Sequence, residues 1–321
     1  MTGHPVLRRL APRLGTSLGL LVLLSFLVYV GVEALPGDPV TSRLGPTATP
    51  ERVAELRAHL GLDRPVLVRY GEWVAGLFHG DLGRSATGQP VTAMLSDRVG
   101  NSALLAGIAI GLLAPLSLGL GLWAAWRRGR GADRVISGGA LLLVSVPEFV
   151  VAGALVLLFA VTLRLLPAVS LLPVGASPLS HPEVLVLPVL SLLFVGLAYA
   201  TRVIRASAAA TLTGGHVEFL RLSGAPGATL LRRAVLPAVL PVAVQVWLVT
   251  GVGFVGGAVL VEKVFGYPGI GELLVASVRT GDLPVVQALV LVLGAAMLAA
   301  LVLADLAVVL LTPRLRTGVA R

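Results

Sequence analysis

Few side chains in this 321-residue chain could do chemistry, and their spacing excludes most of it. The five histidines, His4, His59, His79, His181 and His216, are scattered without metal-ligand spacing. There is no cysteine, so neither a thiolate metal site nor a disulfide can form. No G-x(4)-G-K-[ST] loop occurs, and the sole lysine, Lys263, follows Glu262. Gly266-Tyr267-Pro268-Gly269-Ile270-Gly271 is glycine-rich, but its Pro and Tyr make it a turn rather than a phosphate cradle. Two acids stand inside apolar runs: Glu148, next to Pro147, and Asp305. Charges there are costly and face a bundle interior or a water-filled path. One reading makes them pathway-lining groups that meet a substrate amine. The other makes them structural carboxyls, protonated or paired locally, with Glu148 satisfying backbone groups freed by Pro147. No catalytic residue, metal or cofactor is expected.

The longest polar, basic interruption in the hydrophobic second half runs from Glu218 to Pro237. Val217 to Ser223 is long enough for about two helical turns. Gly224 stands where a helix C-cap glycine would, and Pro226 follows where a helix does not continue. Arg221 falls in the last turn, where a cation suits the helix dipole. Phe219, Leu220 and Leu222 are bulky and apolar in a loop that should face water. Either they fold back onto the membrane helices, or they form an exposed patch that requires a partner.

The rest of the chain must hold these residues in a membrane. It is 56% hydrophobic and 13% charged, with a mean hydropathy of +0.93, too apolar for a soluble domain. The expected fold is all-α, with six spans. Leu14–Val32 is the first, preferred as a retained helix over a cleaved signal peptide ending near Val32-Glu33-Ala34. Ala103–Trp126, Ile136–Leu163, Val184–Ala200, Ala238–Leu260 and Leu283–Leu311 supply the other five. Residues 34–100 are more polar, with seven acids and seven bases from Asp38 to Arg98. Thr49-Pro50-Glu51 is a helix start that Gly61 would close, and an amphipathic piece follows over Val66–Phe78, with Trp73 and Phe78 as interfacial anchors.

The net charge of +9 reports topology rather than nucleic-acid binding. With the N-terminus inside, the cytoplasmic pieces carry Arg8, Arg9, Arg13, Arg127, Arg128, Arg130, Arg134, Arg202, Arg205, Arg221, Arg232, Arg233, Arg314, Arg316 and Arg321. Only Asp133 and Glu218 oppose them there. Both termini, and the Glu218 loop, then lie in the cytoplasm. Gly251, Gly253, Gly256 and Gly257 make the fifth span glycine-rich, for close helix packing or for a gating helix at a subunit interface.

The Glu218–Pro237 stretch resembles the E-A-A-x(3)-G-x(9)-I-x-L-P signature of permease subunits of bacterial ABC importers. Glu218, Gly224, Leu236 and Pro237 stand at its defining positions, while Phe219 and Leu220 replace the two Ala and Ala234 replaces the Ile. The resemblance extends along most of the chain to the dipeptide/oligopeptide/nickel group. It is carried by Leu35-Pro36-Gly37-Asp38-Pro39, Leu60-Gly61-Leu62-Asp63-Arg64-Pro65, Gly80-Asp81-Leu82-Gly83-Arg84-Ser85, Ser145-Val146-Pro147, Val261 to Gly271 and Pro313-Arg314-Leu315-Arg316. In that group Arg-Ala-Lys-Gly often precedes the turn; here it is Arg221-Leu222-Ser223-Gly224, a departure that bears on the choice of ATPase.

The resemblance implies an integral membrane protein of the type I ABC importer permease kind, multi-pass in a bacterial inner or plasma membrane. Residues 1–33 would hold the N-terminus and first helix, 34–100 an extracytoplasmic helical insertion, and 101–321 the core with a coupling loop at 206–237. Glu218, Phe219, Leu220, Arg221, Gly224, Leu236 and Pro237 would couple it to ATP hydrolysis on separate subunits. The implied partners are a second homologous permease, two ATP-binding subunits, an extracytoplasmic substrate-binding protein and membrane lipid, with di- or oligopeptides as cargo. Nickel or another small solute is the alternative cargo. An autonomous secondary transporter or channel, or a membrane enzyme, are the alternative classes; the first would show inverted repeats and the second a convergent catalytic group.

Overall fold

The computed structural model describes residues 5–33, 49–59, 63–173 and 175–311, and these are helices joined by loops. In chain order the helices are α1 (Pro5–Glu33), α2 (Pro50–His59), α3 (Val66–Leu77), α4 (Val91–Trp126), α5 (Gly131–Val144) and α6 (Glu148–Leu155). Then come α7 (Glu183–Leu212), α8 (Gly215–Leu222), α9 (Gly227–Leu230), α10 (Leu236–Phe265), α11 (Ile270–Thr280) and α12 (Leu283–Leu311). The Leu35–Pro39 turn, the Gly61 helix stop and the Pro313–Arg316 tail lie outside the described residues.

Among the described residues, five stretches are long and apolar enough to cross a membrane: Leu14–Gly31, Val91–Trp126, Glu183–Leu212, Gly227–Phe265 and Leu283–Ala307. The sixth expected span, Ile136–Leu163, is not one straight helix. It is α5 followed by α6 and a wide-turn continuation over Val156–Thr162, and the chain bends by 108° between the two limbs. The cause is local. Pro147 has no N–H to extend α5 and biases Val146 away from helical geometry, while its own fixed φ starts α6. The Ser145 hydroxyl donates to Leu141 O (2.9 Å) as α5 ends.

The core is the packing of α4, α7 and α10. Leu105, Ala109 and Leu113 recur every four residues on α4 and are fully buried against α7. In lipid the apolar surface of a helix gains nothing by leaving the solvent, so close fit holds such helices together. Gly121 and Gly196 set that fit. A Cβ on Gly121 would stand 3.1 Å from Thr201 O and closer to Ile204, and one on Gly196 would stand 2.6 Å from Phe254 Cζ. α1 lies on α12, where Gly294 admits Leu24.

Among the described residues between α1 and α4, two helices are present, α2 and α3. Thr49 caps α2, its carbonyl accepting from Val53 N–H (3.1 Å). α3 is fastened to α1: the Tyr70 and Ser25 hydroxyls are 2.8 Å apart, and Tyr29 stacks near Trp73 at 5.6 Å between centroids. Trp73 is thus half-buried against α1, whereas Phe78 is 86% exposed. The Gly80–Ser85 turn continues into α4 and is tied to the far end of the chain, because Ala86 N–H donates to Asp282 Oδ1 (2.9 Å).

Candidate functional site

The polar loop between α7 and α10 folds into a two-turn helix with distinct faces. α8 starts at Gly214, whose carbonyl accepts from Val217 and Glu218 N–H. It ends at Ser223, after which Gly224 takes φ +75°, a left-handed geometry that favours glycine. Ala225 N–H reaches back to Leu220 O (3.0 Å), closing the turn, and Pro226 starts α9. The expected helix over Val217–Ser223 is therefore present and begins two residues earlier.

The faces follow from the three- and four-residue spacing. Val217, only 1% exposed, and Leu220, half-buried, point inward onto Leu230 and Ala234. Phe219 and Leu222 point outward, 66% and 83% exposed. Glu218 and Arg221 are exposed beside them, as are Arg232 and Arg233 on the following turn. Leu220 accordingly belongs to the supporting face, not to the exposed apolar group in which its sequence neighbours placed it. Ala234, where the signature has Ile, is buried beneath α8.

Leu236 and Pro237 open α10. A proline inside a helix crowds the carbonyl four residues back and removes a donor. The chain widens before it: over Leu231–Val235 the turn is of the five-residue kind, with Leu236 N–H donating to Leu231 O. Leu236 is half-buried and Pro237 exposed. Gly227 lets the loop approach the end of α4, since a Cβ there would meet Trp126 Cζ2 at 3.2 Å. α8 thus rests on the end of α7, on α9 and on the wide turn over Leu231–Val235.

The two intramembrane acids lie on different elements. Glu148 is the first residue of α6, at the bend rather than mid-helix, and is half-buried. Its carboxyl lies against Gly257 of α10: a Cβ on that glycine would be 3.0 Å from Oε1 and nearer still to Oε2. Among the described residues no hydrogen bond or ion pair to the Glu148 side chain is present. Asp305 is half-buried on α12 and engages a neighbour of its own. The glycine-rich stretch of α10 divides: Gly251 faces Ile110 and Gly257 faces Glu148, whereas a Cβ at Gly253 or Gly256 would meet open space.

A third carboxylate, Glu262, organises the opposite end of α10, and reading the sequence missed it. It is fully buried. Ser102 Oγ donates to its Oε1 (2.6 Å), and the N–H groups of Gly271 (2.7 Å) and Glu272 (3.4 Å) reach Oε2. The carboxylate so meets the open N–H groups at the start of α11, where negative charge suits the helix. A Cβ on Gly269 would collide with it, and one on Gly271 would collide with the Val259 backbone and press on Glu262 Oε2 at 3.0 Å. The turn is pinned further by Asn101 Nδ2 donating to Pro268 O (2.9 Å), by Tyr267 OH donating to Asn101 O (3.0 Å), and by the Arg98–Glu272 ion pair (2.9 Å). Burial, with the Glu262 carboxyl nearby, pushes the Tyr267 phenol well above its ordinary range. The signal was a Glu nine residues before the second of two closely spaced glycines.

Residues 117–317 match the family of the binding-protein-dependent transport system inner membrane component, and residues 6–97 match its N-terminal region. The chain belongs to that family. As an inner membrane component it is a multi-pass protein, in keeping with the five or six apolar spans among the described residues. A putative peptide transport system permease protein of Brucella abortus strain 2308 is 34% identical over 308 residues, covering 95% of this chain and 97% of that one. A probable peptide ABC transporter permease of Sinorhizobium fredii is 31% identical over 319 residues, covering 98% and 99%. The oligopeptide transport system permease protein OppB of Mycobacterium bovis is 37% identical over 333 residues, covering 97% and 99%.

Proposed function

We propose that this inner membrane component is the permease subunit of an ATP-driven importer and forms half of a translocation pathway for di- or oligopeptides. Its relatives carry the names of peptide and oligopeptide permeases along their whole length, which favours that cargo over nickel or another small solute. The observation that carries the mechanism is α8. It offers Phe219 and Leu222 to water while Val217 and Leu220 anchor it to the bundle, the form of a surface built to meet another protein.

One of two separate ATP-binding subunits would dock there, with Glu218, Phe219, Arg221 and Leu222 at the contact, and the other would meet the second permease. Leu220, Gly224, Leu236 and Pro237 would fix the helix on the bundle. Closure of the ATPases would move α8 and rock the helices behind it, alternating the access of a path shared with a second, homologous permease. Glu148 faces α10 at the bend and would line that path, where a carboxylate suits a peptide amine; Asp305 would be a lesser contributor. The arginine distribution supports both termini and the 206–237 loop in the cytoplasm. Residues 34–100 would then be an extracytoplasmic insertion near a substrate-binding protein, with 1–33 and 101–321 flanking it.

Glu218→Lys and Gly224→Asp should abolish uptake of a radiolabelled dipeptide by cells while leaving the protein in the membrane. Uptake at the normal rate in both variants would overturn the coupling assignment.

A further inference from the structure

Between α5 and α7 there is an open cleft of about 590 Å³. Beside one end of it, Arg205 grips Asp133 through Nε (2.5 Å) and Nη2 (2.8 Å), while Gly129 N–H also donates to that carboxylate (2.9 Å). Beyond this clasp the walls are largely apolar. Ser137 and Leu141 stand one and two turns along α5 from Asp133, and Tyr199, Arg202 and Val203 line the facing side of α7. The flank is open, for Leu141 and Leu142 are 53% and 72% exposed.

The charges of the cleft are unequal. Asp133 is engaged by Arg205, and no carboxylate lies within ion-pair distance of Arg202 among the described residues. Arg134 is exposed on the first turn of α5, just after Arg127, Arg128 and Arg130. A ligand that fits must bring an anion to Arg202 and apolar length to Leu141 and Val203. A small soluble anion meets only the first demand, and a neutral lipid meets only the second.

We propose that this cleft binds an anionic phospholipid, its phosphate at Arg202 and the Tyr199 hydroxyl and one acyl chain along Leu141 and Val203. Placing it in the cytoplasmic leaflet rests on the topology given above, which puts the Arg127–Arg134 run on that side. A basic pocket between membrane helices at that depth suits an anionic headgroup.

The test is native mass spectrometry of the full chain, with whatever subunits co-purify, released from nanodiscs of equal phosphatidylglycerol and phosphatidylcholine. The wild-type protein should retain phosphatidylglycerol over phosphatidylcholine by about fivefold, the factor expected for one basic side chain near a membrane surface. Arg202→Gln should bring the ratio close to one. Leu141→Trp, which fills the cleft from an exposed position and leaves the charge alone, should reduce retention of both lipids. Since the chain has no cysteine, Leu141→Cys gives a unique site for a photoactivatable label, which should cross-link to lipid. An unchanged ratio in Arg202→Gln would overturn the proposal. So would cross-linking of the label to a polypeptide, or release of the lipid by millimolar inorganic phosphate alone. None of these readouts involves transport, so their failure is distinct from failure of the importer reading.

Discussion

The carboxyl of Glu148 occupies the space where a side chain on Gly257 would stand, so the bend between α5 and α6 is fitted against a bare patch of α10. Gly257→Ala should therefore be destabilising by about 1–3 kcal/mol, the usual range for overpacking. Gly253→Ala, which faces open space, should be neutral or slightly stabilising. Adding Glu148→Ala to Gly257→Ala should recover much of the loss. Thermal unfolding of the detergent-solubilised protein measures all three. Independent, additive effects of the Glu148 and Gly257 substitutions would contradict the fit.

Glu262 satisfies three donors, two N–H groups at the start of α11 and the Ser102 hydroxyl of α4. Glu262→Ala leaves Ser102 Oγ and two N–H groups without their acceptor, at about 1–3 kcal/mol for each buried group left unpaired. Ser102→Ala removes one donor and takes the acceptor from Ile270 N–H (2.9 Å), but leaves both backbone contacts to Glu262 intact, so it should cost less than stranding three groups. The order of unfolding temperatures, wild type above Ser102→Ala above Glu262→Ala, is the expected outcome. A Glu262→Ala protein as stable as wild type would remove the clasp from the account.

At the other end, Asp133 and Arg205 differ in burial: their side chains are 6% and 28% exposed. Arg205→Ala strands a buried carboxylate that keeps only Gly129 N–H and Ser137 as partners. Asp133→Ala strands a guanidinium that still reaches solvent. Breaking a buried pair costs about 3–5 kcal/mol, and the exposure of Arg205 lowers that figure for Asp133→Ala. Arg205→Ala should be the more damaging change in urea unfolding, and the reverse order would be inconsistent with the burial seen here.

Gly224 holds a left-handed turn at φ +75°, and a Cβ added there would meet nothing within 4 Å. The constraint on it is conformational rather than steric, so residues should rank by their tolerance of that region. Uptake should fall from Gly224 to Gly224→Asn to Gly224→Val, with the β-branched residue worst. Equal uptake in the Asn and Val variants would show that the turn does not position α8.

What could be read from the sequence was what neighbouring residues decide. The order of the apolar spans, the Thr49-Pro50 helix start and the two turns before Gly224 all depend on residues within a few positions of one another, whereas the helices overran the apolar runs, Val91–Trp126 starting twelve residues before Ala103 and Glu183–Leu212 ending twelve after Ala200. The inward direction of Leu220 was also within reach, because it lies three residues after Val217, but bulk hydrophobicity grouped it with Phe219 and Leu222. The break at Pro147 was visible as a proline; its 108° angle depends on what α6 packs against and was not. The clasps could not be read at all. Ser102 and Glu262 are 160 residues apart, and Asp133 and Arg205 are 72 apart. Only the fold decides which distant acid meets which distant donor, and so Glu262 was read merely as the residue before Lys263.

In the proposed importer, α8 is the surface on which a separate ATPase docks. Because the chain has no cysteine, Leu222→Cys on the exposed face of α8 introduces a single thiol. A short bifunctional cross-linker applied to native membranes should join this position to an ATP-binding subunit, identified by mass spectrometry. The same thiol at exposed Leu179, near the opposite end of α7, should give no such adduct. An ATPase adduct from Leu222→Cys alone is the predicted result. No adduct there in membranes that carry the assembled transporter, or equal adducts from both positions, would contradict the account.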